Sequence, residues 1–462
     1  MNTPPPPSLA DITARLQGYD PQAVTADDVL RILREWVTPV AETESLPLMQ
    51  ALGRVLAHNI TSPISVPPHD NSAMDGFALR GSELLADAPT RLQVVGTAFA
   101  GKAWQGQVAA GQCVKIMTGA VMPAGLDTVV PLELVQTQGD GITLPARAVQ
   151  AGDNRRLAGE DLMQGDTALA KGERLTPAAL GLVASLGIAQ VQVMRRLKVA
   201  FFSTGDEILS LGEPPREGAV YDSNRYVLFG LLTRLGCETI DMGVVPDEPT
   251  ALEATFLQAA AQADAIITSG GVSMGEADHT RAMMARLGQA DGVASTAGAG
   301  MAFWRIAMRP GRPMAAGRIF NAKLPSSQGK ACHSSYENSS SEEAASAFLF
   351  GLPGNPVAVM VTFLAFVRPA LLQMMGAAAA AAPLLQAKSV EPIRKKPGRT
   401  EYQRGIVSQD AQGQLQVRIT GNQGSGVLSS MARANGLIVL HHAQGNVAAG
   451  DAVDVMMFDG VI

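Results

Sequence analysis

The sequence predicts a multidomain α/β plus β protein: a β-rich module in the N-terminal half, a mostly parallel α/β domain in the middle and a small β domain at the end. Three observations predict it. The length, 462 residues, exceeds what one hydrophobic core organises and corresponds to about three or four domains. Strand and helix patterns alternate between residues 197 and 287, as βαβ units on a parallel sheet require. Short apolar stretches separated by Gly and Pro fill 62–154, and apolar residues recur at strand period after 384.

The elements follow in order. The prolines at 4 to 7 read as a stiff, disordered leader. A helix is expected over 27–37, capped by Thr25 with Asp28 three residues on, and with Leu30, Leu33 and Val37 on one face. A second helix, 177–186, has Thr176 as N-cap, Pro177 as its first residue and Gly187 as its stop. Then come a strand at 197–203, a helix at 224–235 ended by Gly236, a strand at 239–245, a helix at 249–263, a strand at 265–268 and a helix at 280–287. The polar, serine-rich segment 321–346 reads as an inserted surface loop. The alanine run 377–382 reads as a helix end or linker. Apolar residues at 415, 417 and 419, at 437–440 and at 453–457 mark the last strands.

Composition excludes several classes. Hydrophobic residues make up 47% and charged residues 17%, which is globular rather than disordered. The net charge of −6 lacks the basic excess of a nucleic-acid binder. Cys113, Cys237 and Cys332 are far apart, so neither a disulfide framework nor a zinc cluster is expected, and a cytoplasmic location fits. The first residues have no basic n-region or apolar h-region. The longest apolar run, 357–367, ends at Arg368 and Pro369 and is too short to span a membrane.

Chemistry concentrates at the ends of the expected parallel strands, where such sheets bind ligands. Ser269, Gly270, Gly271, Val272 and Ser273 follow one strand and precede a helix. They form either a tight turn or a loop whose backbone N–H groups approach an anion. Glu207, Asp247 and Asp278 follow three successive strands. They are either solvated loop acids or ligands of Mg²⁺, which takes a few carboxylates plus substrate phosphates. Residues 305–308 read as a buried strand, and Arg309 and Arg312 flank a Pro-Gly turn beside it. These arginines pair with nearby acids or grip phosphate. Residues 351–356, with Pro353 and Pro356, form a turn before an apolar helix, or a ligand loop. Asp70, Asn71, Ser72 and Asp75 are dense polar groups that turn chemistry accounts for, with a site role open. The histidines show no metal spacing, and no Ser-His-Asp order is present.

Six ordered motifs carry a resemblance: 70–76 (DNSAMDG), 117–120 (MTGA), 158–161 (AGED), 203–207 (STGDE), 269–273 (SGGVS) and 351–356 (GLPGNP). Together they resemble the molybdopterin molybdenumtransferase family, MoeA, similar to the gephyrin E domain, from about residue 46 to the end. The resemblance implies a reaction in which adenylylated molybdopterin and molybdate, with Mg²⁺, give molybdenum cofactor and AMP. It implies an elongated N-terminal domain (21–60 and 158–195) after a leader (1–20), an inserted β domain (61–157), a MogA-like three-layer α/β domain (196–383) and a C-terminal β-barrel-like domain (384–462). It also implies a homodimer whose cleft joins the α/β domain of one subunit to the N-terminal region of the other. A molybdopterin adenylyltransferase upstream and acceptor molybdoenzymes downstream are the partners it suggests.

Carried over residue by residue, the resemblance implies catalytic roles for Asp75, Glu207, Asp278 and Arg309 and metal binding by Glu207, Asp247 and Asp278. It implies substrate contacts from Thr118, Asp161, Ser269, Gly270, Gly271, Ser273, Arg305, Arg312, Pro353 and Pro356, and molybdate handling by Arg404 and Ser425. Arg305 and Arg309 stand where relatives often carry Lys, which keeps charge and changes donor geometry. The insertion at 321–346 departs from the family pattern. Two other readings stand beside this one: a molybdopterin adenylyltransferase, which the α/β domain alone resembles, and a non-catalytic molybdopterin-binding scaffold.

Overall fold

The computed structural model describes residues 7–272, 279–288, 300–325, 344–378 and 383–458. The chain forms two compact units, residues 45–193 and residues 1–44 with 194–462.

The larger unit is built on a six-stranded sheet. Lys198–Thr204 is an almost continuous apolar run, as a strand covered on both faces must be. It lies between Glu238–Val245 and Ala265–Ser269 and parallel to both, and Ala344–Leu352 adds parallel to Ala265–Ser269. Pro313–Pro325 and Met301–Arg305 extend that edge antiparallel. In register, Ser203 and Leu352 each pair with Ser269, and Thr204 pairs with Val245. Four parallel strands therefore end along one edge, and that edge positions the site.

Ala200 and Phe202 face a core shared with Leu252, Phe256, Ala259, Met283 and Met284 of the helices Pro249–Gln262 and His279–Leu287. Asn224–Leu235 packs against the first strand and Glu238–Val245 through Leu228, Leu231, Leu232 and Leu235, and stops at Gly236 in the left-handed region. Pro356–Met374 is long and apolar enough by composition to cross a membrane, but 72% of it is buried inside the protein. It is a core helix. The run 357–367 seen in the sequence is its first part.

The N-terminal segment packs with the α/β unit. The helix Ala26–Trp36 is capped by Thr25 as expected, and of the expected face Leu33 and Val37 are buried while Leu30 is only half-buried; Val29, Ile32 and Trp36 complete the buried face. Trp36 meets Phe348 edge-on at 4.8 Å, and Gln373 Nε2 donates to the carbonyls of Arg34 and Val37. Residues 21–44 thus belong to the α/β unit. The expected disordered leader is corrected in part. Ser8 caps a helix, Leu9–Ala14, whose Leu9 and Ile12 are buried, and the Tyr19 hydroxyl accepts from Trp304 Nε1 at 2.9 Å.

The buried strand expected at 305–308 is two pieces. Met301–Arg305 closes the sheet with Arg305 exposed at its end, and Met308–Arg309 pairs parallel with Thr400–Gln409. Residues 321–325 and 344–346 of the expected insertion are strand rather than loop, while 326–343 lie outside the described residues, as do 379–382 of the alanine run.

The C-terminal strands close on themselves. Thr400–Gln409 pairs with Leu415–Ile419, which pairs with Leu385–Ser389, then Ala452–Met457, then Gly436–Leu440, which returns to Thr400–Gln409. This five-stranded barrel has Ala387, Val417, Ile438, Leu440, Val453 and Val455 in its core.

The unit 45–193 has its own six-stranded sheet, ordered Thr128–Pro131, Gly76–Leu79, Gln112–Ile116, Thr90–Ala98, Gly141–Leu144 and Gln136–Gln138. One face packs Val114, Ile116 and Val129, the other Phe77, Cys113 and Val130. A third core gathers Leu56, Leu175, Val183 and Val193 around the helix Pro177–Ser185, which Thr176 caps.

Candidate active site

The carboxyl edge of the parallel strands opens into a cavity of about 830 Å³. Each strand delivers part of the wall. Thr204 ends the first strand and Gly205 and Glu207 follow it, Asp247 follows the second, Gly270, Gly271 and Val272 the third, and Pro353, Gly354 and Asn355 the fourth. The turn from Arg309 to Pro313 and the barrel residues Gln423, Gly424 and Ser425 complete it.

The paired glycines are there because nothing larger fits. Gly270 has φ +95°, and a Cβ on it would lie 2.5 Å from the Thr204 carbonyl oxygen. Gly271 has φ +67°, and its Cβ would lie 2.4 Å from Thr280 Cβ. The loop is therefore pressed between the first strand end and the following helix. The Gly270 N–H donates to the Leu352 carbonyl at 3.1 Å, so it serves the fold rather than a ligand.

Of the two wall acids, Asp247 has a structural partner. Its Oδ1 accepts from the Thr280 N–H at 3.1 Å and from Thr280 Oγ1 at 2.9 Å. It thus satisfies an orphan donor at the start of His279–Leu287. Thr280 is fully buried, and its Oγ1 lies 3.3 Å from Thr204 Oγ1. Glu207 is exposed. Among the described residues no group of three His, Cys, Asp or Glu is arranged to hold a metal ion. Glu207 and Asp247 line the same cavity, and carboxylate oxygens are the donors a hard cation takes together with water and phosphate oxygens.

Arg309 and Arg312 bring positive charge to the same cavity. Gly311 between them has φ +90°, and a Cβ there would lie 2.4 Å from Thr362 Oγ1. Arg404 is fully buried. Its Nε donates to Ser430 Oγ at 2.9 Å, Nη1 to the Gln423 carbonyl at 3.2 Å, and Nη2 to the carbonyls of Asn422 and Gly424 at 3.2 and 3.0 Å. Burial, with the Arg309 charge nearby, pushes its pKa down to about 10. Arg404 thus shapes the loop carrying Gln423 to Ser425, and the Ser425 carbonyl accepts from Val357 N–H at 3.2 Å.

The structure therefore brings together Glu207, Asp247, Gly270, Gly271, Arg309, Arg312, Pro353 and Ser425. Ser269 is buried just behind the wall, Arg404 beneath the barrel loop, and Pro356 is the first residue of its helix. Arg305 is not on the wall; its N–H donates to the Pro21 carbonyl. Ser273 and Asp278 lie outside the described residues. Asp75, Thr118 and Asp161 belong to the other unit. There Asp75 Oδ1 accepts from both the N–H and the Oγ1 of Thr118 at 2.7 Å, which holds its carboxyl below the usual range. Asp161 is exposed, and its N–H donates to Val66 O.

Sequence reasoning missed Thr280, Gln423 and Gly424 as wall residues. For the last two a signal exists in the glycines at 421, 424 and 426, which mark an irregular loop between strands. For Thr280 there is none, since its partner Asp247 is 33 positions away.

Residues 24–187 match the model of the MoeA N-terminal region (domain I and II). Residues 200–373 match that of a probable molybdopterin binding domain, and 386–458 that of the MoeA C-terminal region (domain IV). A molybdopterin molybdenumtransferase of Haemophilus influenzae is 38% identical over 440 residues, covering 95% of this chain and 100% of its own. That of Bacillus subtilis is 31% identical, covering 90% of each. The crystal structure of a molybdopterin biosynthesis MoeA protein from Pyrococcus horikoshii superposes with a TM-score of 0.75 at 27% identity, covering 94% of this chain and 100% of that one.

Proposed function

The chain belongs to the MoeA family, and we propose that it is a molybdopterin molybdenumtransferase, taking adenylylated molybdopterin and molybdate to molybdenum cofactor and AMP. The observation that carries the reading is one cavity in which Glu207 and Asp247, Gly270 and Gly271, and Arg309 and Arg312 meet at the ends of four parallel strands. Cleavage of a phosphoanhydride builds negative charge on the leaving phosphate. Arg309 and Arg312 supply fixed positive charge where that builds, and guanidinium forks suit phosphate oxygens. The barrel loop brings the Ser425 side of the wall within reach of a small oxyanion such as molybdate.

Glu207 and Asp247 would hold the Mg²⁺ of this reaction, which when bound neutralises diphosphate charge. Asp247 gives its Oδ1 to Thr280, so its second carboxylate oxygen and the carboxylate of Glu207 would face the ion. Asp75, Thr118 and Asp161 enter through a homodimer in which each copy supplies them to the other's cavity. A cytoplasmic location agrees with the reaction and with the buried position of the apolar helix Pro356–Met374.

The test is turnover. Purified protein with adenylylated molybdopterin, Mg²⁺ and molybdate should release AMP, and omitting molybdate should stop the release. Consumption of ATP with formation of the adenylylate would make it an adenylyltransferase instead. No nucleotide chemistry at all would make it a scaffold.

A further inference from the structure

Behind the cavity wall lies a polar group that none of the expected roles includes. Asn224 opens the helix Asn224–Leu235 and is only 7% exposed. Its Nδ2 carries two hydrogens, and both are committed. One goes to Ser269 Oγ at 2.6 Å and the other to the Gly354 carbonyl at 2.7 Å. Ser269 immediately precedes Gly270 and Gly271, and Gly354 sits between Pro353 and Asn355. One carboxamide therefore joins two loops of the wall that come from different strands. The same helix start is seated on a third strand end, because Asp222 Oδ1 accepts from Ser203 Oγ at 3.0 Å and from Arg225 N–H at 3.1 Å. Asn224 Oδ1 is buried without a partner. A buried unsatisfied acceptor is costly, and here the group's two donors offset that cost.

We infer that Asn224 is a positioning residue, a staple that holds the glycine loop after Ser269 and the Pro353–Asn355 loop at the spacing the substrate's phosphates need. It touches no substrate atom. Without it both loops sample other arrangements, and apparent affinity falls by the fraction of time they spend apart. The kinetic half of this inference rests on the transferase reading; the structural half does not.

Asn224→Ala removes both donors, and Asn224→Asp removes them while keeping shape. Hydrogen–deuterium exchange read by mass spectrometry should speed up in peptides spanning 269–272 and 353–356, with the peptide over Lys198–Thr204 unchanged. KM for adenylylated molybdopterin should rise about tenfold, with kcat within about threefold, as a population shift requires. A variant that is merely less folded would show the reverse, a lower kcat at unchanged KM, and that result overturns the inference. Wild-type exchange in both loops overturns it as well, as does an unchanged KM with loosened loops. Should the wild-type protein release no AMP, the transferase reading fails, and the exchange measurement alone decides the staple.

Discussion

At the scale of single residues, the two acids on the wall do different work. Asp247 is committed through one oxygen to Thr280, whereas Glu207 lies exposed on the cavity. Glu207→Gln keeps shape and removes charge, so AMP release should fall by about 10²-fold or more while the melting temperature stays put, a loss typical of one removed electrostatic contact. Turnover within a factor of three of wild type would remove Glu207 from the metal's environment. Asp75 gives a second prediction. Its depressed pKa comes first from the Thr118 N–H and second from the Thr118 hydroxyl. A carboxylate of this kind stabilises the fold above the ordinary carboxylate pKa, and the contribution is lost as pH falls through the depressed value. Thr118→Val removes only the hydroxyl, so the Asp75 pKa read by carboxyl NMR should move up part of the way; an unmoved titration would contradict the assignment. Neither partner relation was legible in the sequence, because Asp75 and Thr118 lie 43 positions apart and type alone does not pair them.

At the scale of elements, legibility followed locality. Asn224–Leu235 was readable end to end, because its leucines recur at helical spacing and Gly236 supplies the left-handed stop. Ala26–Trp36 was readable as a helix and its buried face in part, through Leu33 and Val37; the role of Trp36 was not, since it is set by the partner Phe348. Barrel closure was not readable, since it depends on which strand returns to Thr400–Gln409. Nor was the inward burial of Arg404, a residue type that is seldom fully buried. Its four side-chain hydrogen bonds make the barrel loop an element built around one cation. Arg404→Met leaves three carbonyls without that donor. Losing such partners should outweigh the relief of removing a buried charge, costing about 2 kcal/mol by chemical denaturation. AMP release should fall with it, since Ser425 loses its support; a variant as stable and active as wild type would show that the loop stands without Arg404.

At the scale of the whole molecule, the six ordered motifs made the family legible across nearly the full chain, yet they did not say which unit each motif joins. Residues 21–44 pack with the α/β unit, because an amphipathic helix specifies a buried face and not the domain that covers it. The proposed homodimer makes a quantitative prediction from symmetry. Asp75→Asn and Glu207→Gln chains should each be inactive alone. Mixed and reassembled, they should recover about a quarter of wild-type activity, since half the dimers pair unlike chains and each of those keeps one intact site. No recovery would place both acids in the same subunit's site. The central claim is that the four strand ends build a phosphate and metal site, and a crystal structure with adenylylated molybdopterin and Mg²⁺ tests it most directly. Phosphate oxygens between Gly271 and the side chains of Arg309 and Arg312, with the ion on Glu207, is the predicted result. Ligand bound elsewhere, with Glu207 and both arginines making no contact to it, would contradict the account.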